Sequence, residues 1–188
     1  MVHRKYAGER MNTCILFLRG INVGGNNSLP MKELVSILEG TGARKIRTYI
    51  QSGNAVFQSA GKNASQLPKK LAAEIKKRHG FEPYIHILDV DAIMRAIAEN
   101  PFPEAEADPS SLHLGFLASK PTSPDLEKLS SLKAKSERFH LTDRVFYLYA
   151  PEGIGRSKLA ASTEKLHGVP MTDRNWRTVC KVMEMAGQ

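Results

Sequence analysis

Two stretches of this chain set glycines, side-chain amides and cations close together. The first is Arg19-Gly20-Ile21-Asn22-Val23-Gly24-Gly25-Asn26-Asn27, joined further on by Gln51-Ser52-Gly53-Asn54. The second is Gly153-Ile154-Gly155-Arg156-Ser157-Lys158, joined by Thr172-Asp173-Arg174-Asn175-Trp176-Arg177. Glycine lets backbone N–H groups approach a ligand closely. Where such a loop opens a helix, the free N–H groups and the helix dipole attract anions. An arginine or lysine beside them adds counter-charge. The chemistry these residues suit is recognition of a phosphate or carboxylate. The candidate ligand-binding residues are therefore Arg19, Gly20, Asn22, Gly24, Gly25, Ser52, Asn54, Gly155, Arg156, Ser157, Lys158, Arg174, Asn175 and Trp176.

Each has a plainer reading beside it. Gly24 and Gly25 also fit a strand-to-helix turn that needs positive φ. Ser52-Gly53-Asn54 reads first as a β-hairpin turn, and Ser52 has no His or Asp near it in sequence to activate it as a nucleophile. Ser157 reads as a helix cap. Trp176 fits the apolar face of the last helix and reads as core. Arg174, expected in that helix's first turn, puts a cation at the positive end of the dipole, which an anionic partner would resolve.

No catalytic residue, metal site or cofactor is assigned. The first glycine-rich loop lacks the Gly-Lys-Ser/Thr of a Walker A motif and the spacing of a dinucleotide fingerprint. His3, His79, His86, His113, His140 and His167 show no metal-ligand spacing with cysteines or acids. Glu33, Asp143 and Asp173 are isolated carboxylates rather than acid–base pairs.

The elements that must position these loops follow from periodicity. An apolar run at 13–19 reads as a strand, and Met31, Leu34, Val35 and Leu38 as a helix face ending near Gly40–Gly42. Ile46, Thr48 and Ile50 alternate as a strand, and the hairpin signal leads to a third strand from Ala55 to Phe57. Leu67, Leu71, Ala72 and Ile75, with Pro68 at the start and Gly80 at the end, mark a second helix, and Tyr84 to Leu88 a fourth strand. A short helix, Asp91 to Ala98, leads into Asn100–Pro109, the best linker candidate. The pattern then recurs: a strand at Leu112–Phe116, a helix opened by Ser123-Pro124 and carrying Leu126 and Leu129, strands at Phe139–Leu141 and Val145–Tyr149, a helix at Ser157–His167, and a strand at Val169–Thr172. A final helix carries Trp176, Val179, Cys180 and Met183 at i, i+3, i+4, i+7.

The expected fold is α+β: two tandem βαββαβ, ferredoxin-like units with mostly antiparallel sheets, plus a C-terminal helix. Residues 1–10 are expected as an N-terminal extension, 11–100 as the first unit and 110–188 as the second. In this topology the Arg19–Asn27 loop and the Gln51–Asn54 turn share one end of the first unit. The loops after Tyr149 and after the last strand share one end of the second.

Composition bounds the rest. The 188 residues carry 27 Lys+Arg against 19 Asp+Glu, a net charge of +8 that suits an anionic partner or a solvated basic helix face equally. Cys14 and Cys180 read as buried small hydrophobes. No apolar stretch approaches the roughly 20 residues of a membrane helix, and the N-terminus lacks a signal-peptide core, so the expected location is the cytoplasm. The oligomeric state is not legible.

Phe17-Leu18-Arg19-Gly20-Ile21-Asn22-Val23-Gly24-Gly25, Met31, Arg47-Thr48-Tyr49-Ile50-Gln51-Ser52-Gly53-Asn54, Ser157-Lys158-Leu159 and Thr172–Thr178 together resemble a bacterial family, domain of unknown function 1697. The likeness runs from about Met11 to the end of the chain. Arg177 stands where the family usually reads Asn, and Asp173 where it reads Thr or Met. The resemblance implies a two-unit α+β fold and brings no activity with it. The leading expectation is therefore binding of an anionic, phosphate-bearing ligand, a nucleotide or nucleic acid. The alternatives are an enzyme acting on a phosphorylated or carboxylated small molecule, with Arg19, Ser52, Asn54 and Lys158 as positioning groups, and a structural or interaction module.

Overall fold

A computed structural model describes residues 11–60 and 66–188; the expected N-terminal extension lies outside the described residues. Its strands are β1 (Met11–Arg19), β2 (Arg44–Tyr49), β3 (Asn54–Ala60), β4 (Tyr84–Asp89), β5 (Leu112–Leu117), β6 (Arg138–Leu141), β7 (Val145–Tyr149) and β8 (Met171–Asn175). Its α-helices are α1 (Met31–Gly40), α2 (Leu67–His79), α3 (Val90–Ala98), α4 (Leu126–Leu132), α5 (Lys158–His167) and α6 (Trp176–Ala186). The fold is α+β, with βαββαβ traversed twice and a closing helix. The chain divides into two compact units: residues through Ile93 together with Lys181–Gln188, and Met94–Cys180.

The first unit is an antiparallel sheet of order β2-β3-β1-β4. Ile15, Leu16 and Phe17 in the central β1 are all buried, which explains an unbroken apolar run where a half-exposed strand would alternate. Cys14, Leu16 and Leu18 point to one face, where Leu34, Ile37 and Leu38 of α1 and Leu67, Leu71 and Ile75 of α2 complete a core. The opposite face carries Thr13, Ile15, Phe17 and Arg19 by the alternation of the strand. Gly80, with φ of 82°, closes α2 as a left-handed cap. Arg47 donates to the Met185 carbonyl in the last turn of α6, a cation at the negative end of a helix dipole.

The second unit repeats the order as β6-β7-β5-β8. Leu129, Phe146, Leu148 and Leu159 form the core beneath α4 and α5. Asp125 caps α4 by accepting from the Lys128 N–H at 2.8 Å, and Ser157 caps α5 by accepting from Ala160 N–H at 2.9 Å. The Tyr147 hydroxyl donates to the Ala96 carbonyl of α3 at 2.9 Å. Residues 103–107 form a short 3-10 helix, with Phe102 and Ala105 buried. Arg138 lies 4.9 Å from the ring centres of both Phe102 and Tyr149 and pairs with Glu104.

Four local expectations change. Ile50 is not a strand residue. It follows β2 with φ of 48° and is 53% exposed, so the alternation of Ile46, Thr48 and Ile50 ends in a turn. In α4, Leu129 is buried but Leu126 is exposed. β8 runs to Asn175 and passes directly into α6, so Arg174 is a strand residue and not in the helix's first turn. Asn175 accepts from the Thr178 N–H at 3.0 Å and starts the helix. Cys180 is exposed. The buried apolar positions of α6 are Trp176, Val179, Val182 and Met185, a spacing of three that drifts past Cys180.

Candidate functional site

The first glycine-rich loop is tied down by its own polar groups. Asn22 Nδ2 donates to the Leu29 carbonyl at 3.0 Å and to the Gln51 carbonyl at 2.7 Å, while its Oδ1 accepts from the Leu29 N–H at 2.8 Å. Val23-Gly24-Gly25-Asn26 closes as a tight turn: Asn26 N–H donates to the Val23 carbonyl at 3.0 Å, and Gly24 and Gly25 have φ of 58° and 79°. Positive φ at both central residues is the type I′ requirement. Asn27 Nδ2 donates to the carbonyl of Gly20, itself at φ of 73°.

The Gln51–Asn54 turn joins the same end of the sheet, as the topology predicts. Gly53 accepts at its carbonyl from Leu18 N–H at 2.8 Å. Asn54 is fully buried, and its Nδ2 donates to the Tyr49 carbonyl at 3.1 Å and to Ser52 Oγ at 2.9 Å. The Arg19 guanidinium lies 5.2 Å from the centre of the Tyr84 ring. Asn22 thus spends hydrogen bonds on holding loop to turn, and Asn54 and Ser52 on closing the turn itself, which accounts for much of this motif by folding alone.

The second stretch builds a different object. Gly153, Arg156, Ser157 and Lys158 line a cavity of about 340 Å³ beside the start of α5, within the size range of small-ligand sites. The chain makes a one-turn 3-10 helix, Ile154–Arg156, containing Gly155, and Ser157 then caps α5. Because Ser157 Oγ takes the Ala160 N–H, the N–H groups of Lys158 and Leu159 remain without intrahelical acceptors. Arg156 and Lys158 are exposed, and neither is ion-paired among the described residues.

Three polar side chains of this cavity were not legible as site residues: Ser136, Glu137 and Glu152. Ser136 Oγ donates to Glu152 Oε1 at 2.8 Å. Glu137 is 5% exposed, and its Oε2 accepts from the Ala134 N–H at 2.7 Å. In the sequence it lies in a run of charges, Lys133 to Arg138, that reads as solvated surface. Its return bond to the Ala134 N–H, three positions upstream, appears only once the turn is folded.

Arg174 and Trp176 do not line this cavity. By strand alternation, Asp173 and Asn175 share the face of His113 and Gly115, whereas Arg174 pairs with Leu114 on the opposite face. Burial pushes the Arg174 guanidinium down to about 10, partly offset by Asp173, and it donates to the Asp173 carbonyl at 2.7 Å. Trp176 is buried.

The same sheet holds a histidine–carboxylate pair. Nδ1 of buried His113 lies 2.9 Å from Asp173 Oδ2, and Nε2 lies 3.2 Å from the Ser110 carbonyl. Both ring nitrogens face acceptors, so the ring is best satisfied when doubly protonated. Burial opposes that charge, but the Asp173 hydrogen bond and charge and the Ser110 carbonyl outweigh it, and the His113 pKa is raised. With Nε2 occupied by a carbonyl, the pair is a brace between β5 and β8 rather than an exposed base. Among the described residues no group of three His, Cys, Asp or Glu is placed to hold a metal ion, and no helix is long and apolar enough to cross a membrane.

The two-unit α+β fold and its paired loops define a class, and the sequence places the chain within it. The model of the family of proteins of unknown function DUF1697 matches residues 11–147, and this chain belongs to that family. Among solved structures, a conserved bacterial protein from Streptococcus pneumoniae is similar at 25% identity and a TM-score of 0.67, over 94% of this chain and 99% of that one. Among curated proteins, none matches the chain.

Proposed function

We propose that the chain binds an anionic, phosphate-bearing ligand at the start of α5. The observation that carries this is one cavity in which a helix N-terminus, the Arg156 guanidinium and the Lys158 ammonium meet without an ion-pair partner among the described residues. Oriented N–H groups with nearby cations are the arrangement that phosphate groups exploit elsewhere. A concave site of this size favours a small molecule, such as a nucleotide, over a nucleic-acid strand, which is tracked by an extended basic groove. Arg19, Asn22, Ser52 and Asn54 are assigned to folding of the first unit.

The test is isothermal titration of the full chain with pyrophosphate and a panel of nucleoside mono- and diphosphates, repeated for Arg156→Ala and Lys158→Ala. Each substitution is expected to weaken binding roughly tenfold, the loss of one charge-assisted contact. Unchanged affinity in both variants would remove the site. Steep salt dependence with single-stranded RNA, and none with nucleotides, would transfer the reading to a nucleic-acid surface.

A further inference from the structure

The phosphate site is not simply positive. Arg156 and Lys158 line the same cavity as Glu137 and Glu152. Glu152 is exposed and its charge is solvated. Glu137 is different: it is 5% exposed, yet no cation pairs with it among the described residues. One carboxylate oxygen accepts from the Ala134 N–H at 2.7 Å. The adjacent cation, Arg138, is turned to Glu104 and to the rings of Phe102 and Tyr149. A buried carboxylate is costly unless it is paired and fully hydrogen-bonded. Folding accounts for one of its oxygens, through the Ala134 turn. It does not account for a carboxylate lining a cavity meant for an anion, where a neutral glutamine would hold the same N–H without repelling the ligand.

We infer that the ligand is amphoteric, carrying an ammonium group that pairs with Glu137 while its phosphate or carboxylate sits on the α5 N-terminus with Arg156 and Lys158. The inference rests on the anion-binding reading and narrows it to amine-bearing phosphates and carboxylates. Such a ligand places positive charge where the cavity is acidic and negative charge where it is basic. A plain anion meets Glu137 with like charge, so the same residue both attracts the correct ligand and rejects the wrong one.

The experiment compares O-phosphoethanolamine with ethyl phosphate, which has a methyl group where the ammonium would be. Both are titrated calorimetrically into the full chain at low ionic strength, in the natural protein and in Glu137→Gln and Arg156→Ala. The natural protein is expected to prefer the amine by about tenfold or more, the scale of one charge-assisted hydrogen bond. Glu137→Gln should lose most of that preference while binding ethyl phosphate at least as well, and Arg156→Ala should weaken both ligands together. Glutamine keeps an acceptor for Ala134, and the comparison within the natural protein needs no variant. Equal affinity for the two compounds overturns this inference and leaves the anion site standing. Binding of neither overturns both. A preference retained in Glu137→Gln overturns the role given to that residue.

Discussion

Alanine at Gly53 should be the most damaging small substitution in the first unit. Gly53 has φ of 76°, and a Cβ built on it would lie 2.6 Å from Leu18 Cβ and 2.8 Å from Ile21 Cδ1. Both neighbours are buried, and Leu18 is fixed in β1, so neither can step aside into solvent. The left-handed backbone costs an alanine about 1–2 kcal/mol. Overpacking a filled core adds about 1–3 kcal/mol. Reduced freedom of the unfolded chain returns less than about 1 kcal/mol. The expected loss is therefore about 2–4 kcal/mol. Gly24→Ala is the control: its φ is 58°, but nothing lies within 4 Å of the added Cβ, so about 1 kcal/mol is expected from backbone strain alone. Urea denaturation followed by far-UV circular dichroism reads both as shifts of the midpoint at unchanged slope. Equal losses in the two variants, or a loss under about 0.5 kcal/mol for Gly53→Ala, would refute the argument that close packing of turn on strand fixes this motif.

Other expectations follow from the same geometry. Asn22→Ala removes both donors to Leu29 and Gln51 and the acceptor for Leu29 N–H, and should cost about 2–4 kcal/mol in the same urea assay with no effect on phosphate affinity. His113 has a folded pKa above its unfolded value of about 6.5. The stability it contributes is fully present below that value and lost as pH rises through the folded pKa. His167 has the opposite sign: burial lowers its pKa, with Glu164 offsetting part, so its contribution is present above about 6.5 and lost as pH falls through the folded value. Imidazole resonances followed against pH should place the His113 midpoint above that of His167. Cys14 is buried and should react with a thiol reagent only after unfolding. Cys180 is exposed, but partial burial and Glu106 raise its pKa, so it should react in the native protein more slowly than a free thiol at neutral pH.

Much of the fold was legible because periodicity and punctuation agreed. Leu34 and Leu38 of α1, Leu71 and Ile75 of α2, and Gly80 after it each read correctly as core and cap. The errors lie where local pattern yielded to tertiary placement. Ile50 continues a β-branched alternation, yet the turn takes it at positive φ. Asp173-Arg174-Asn175 looks like a polar exit from a strand ending at Thr172, but pairing with β5 draws it into the sheet, which no local signal could reveal. The candidate site divides the same way. Glycines and cations near a helix start announce Arg156, Ser157 and Lys158. Glu137 stays hidden because burial of a charged residue depends on the fold around it.

The central claim is most directly tested by mapping amide chemical shifts of the uniformly labelled chain during titration with pyrophosphate. The account predicts saturable shifts confined to Gly153–Leu159 and the neighbouring Ser136 and Glu137, with the amides of Gly20–Asn27 and Gln51–Asn54 unmoved. Shifts centred on Gly20–Asn27 and absent around Ser157 would contradict it.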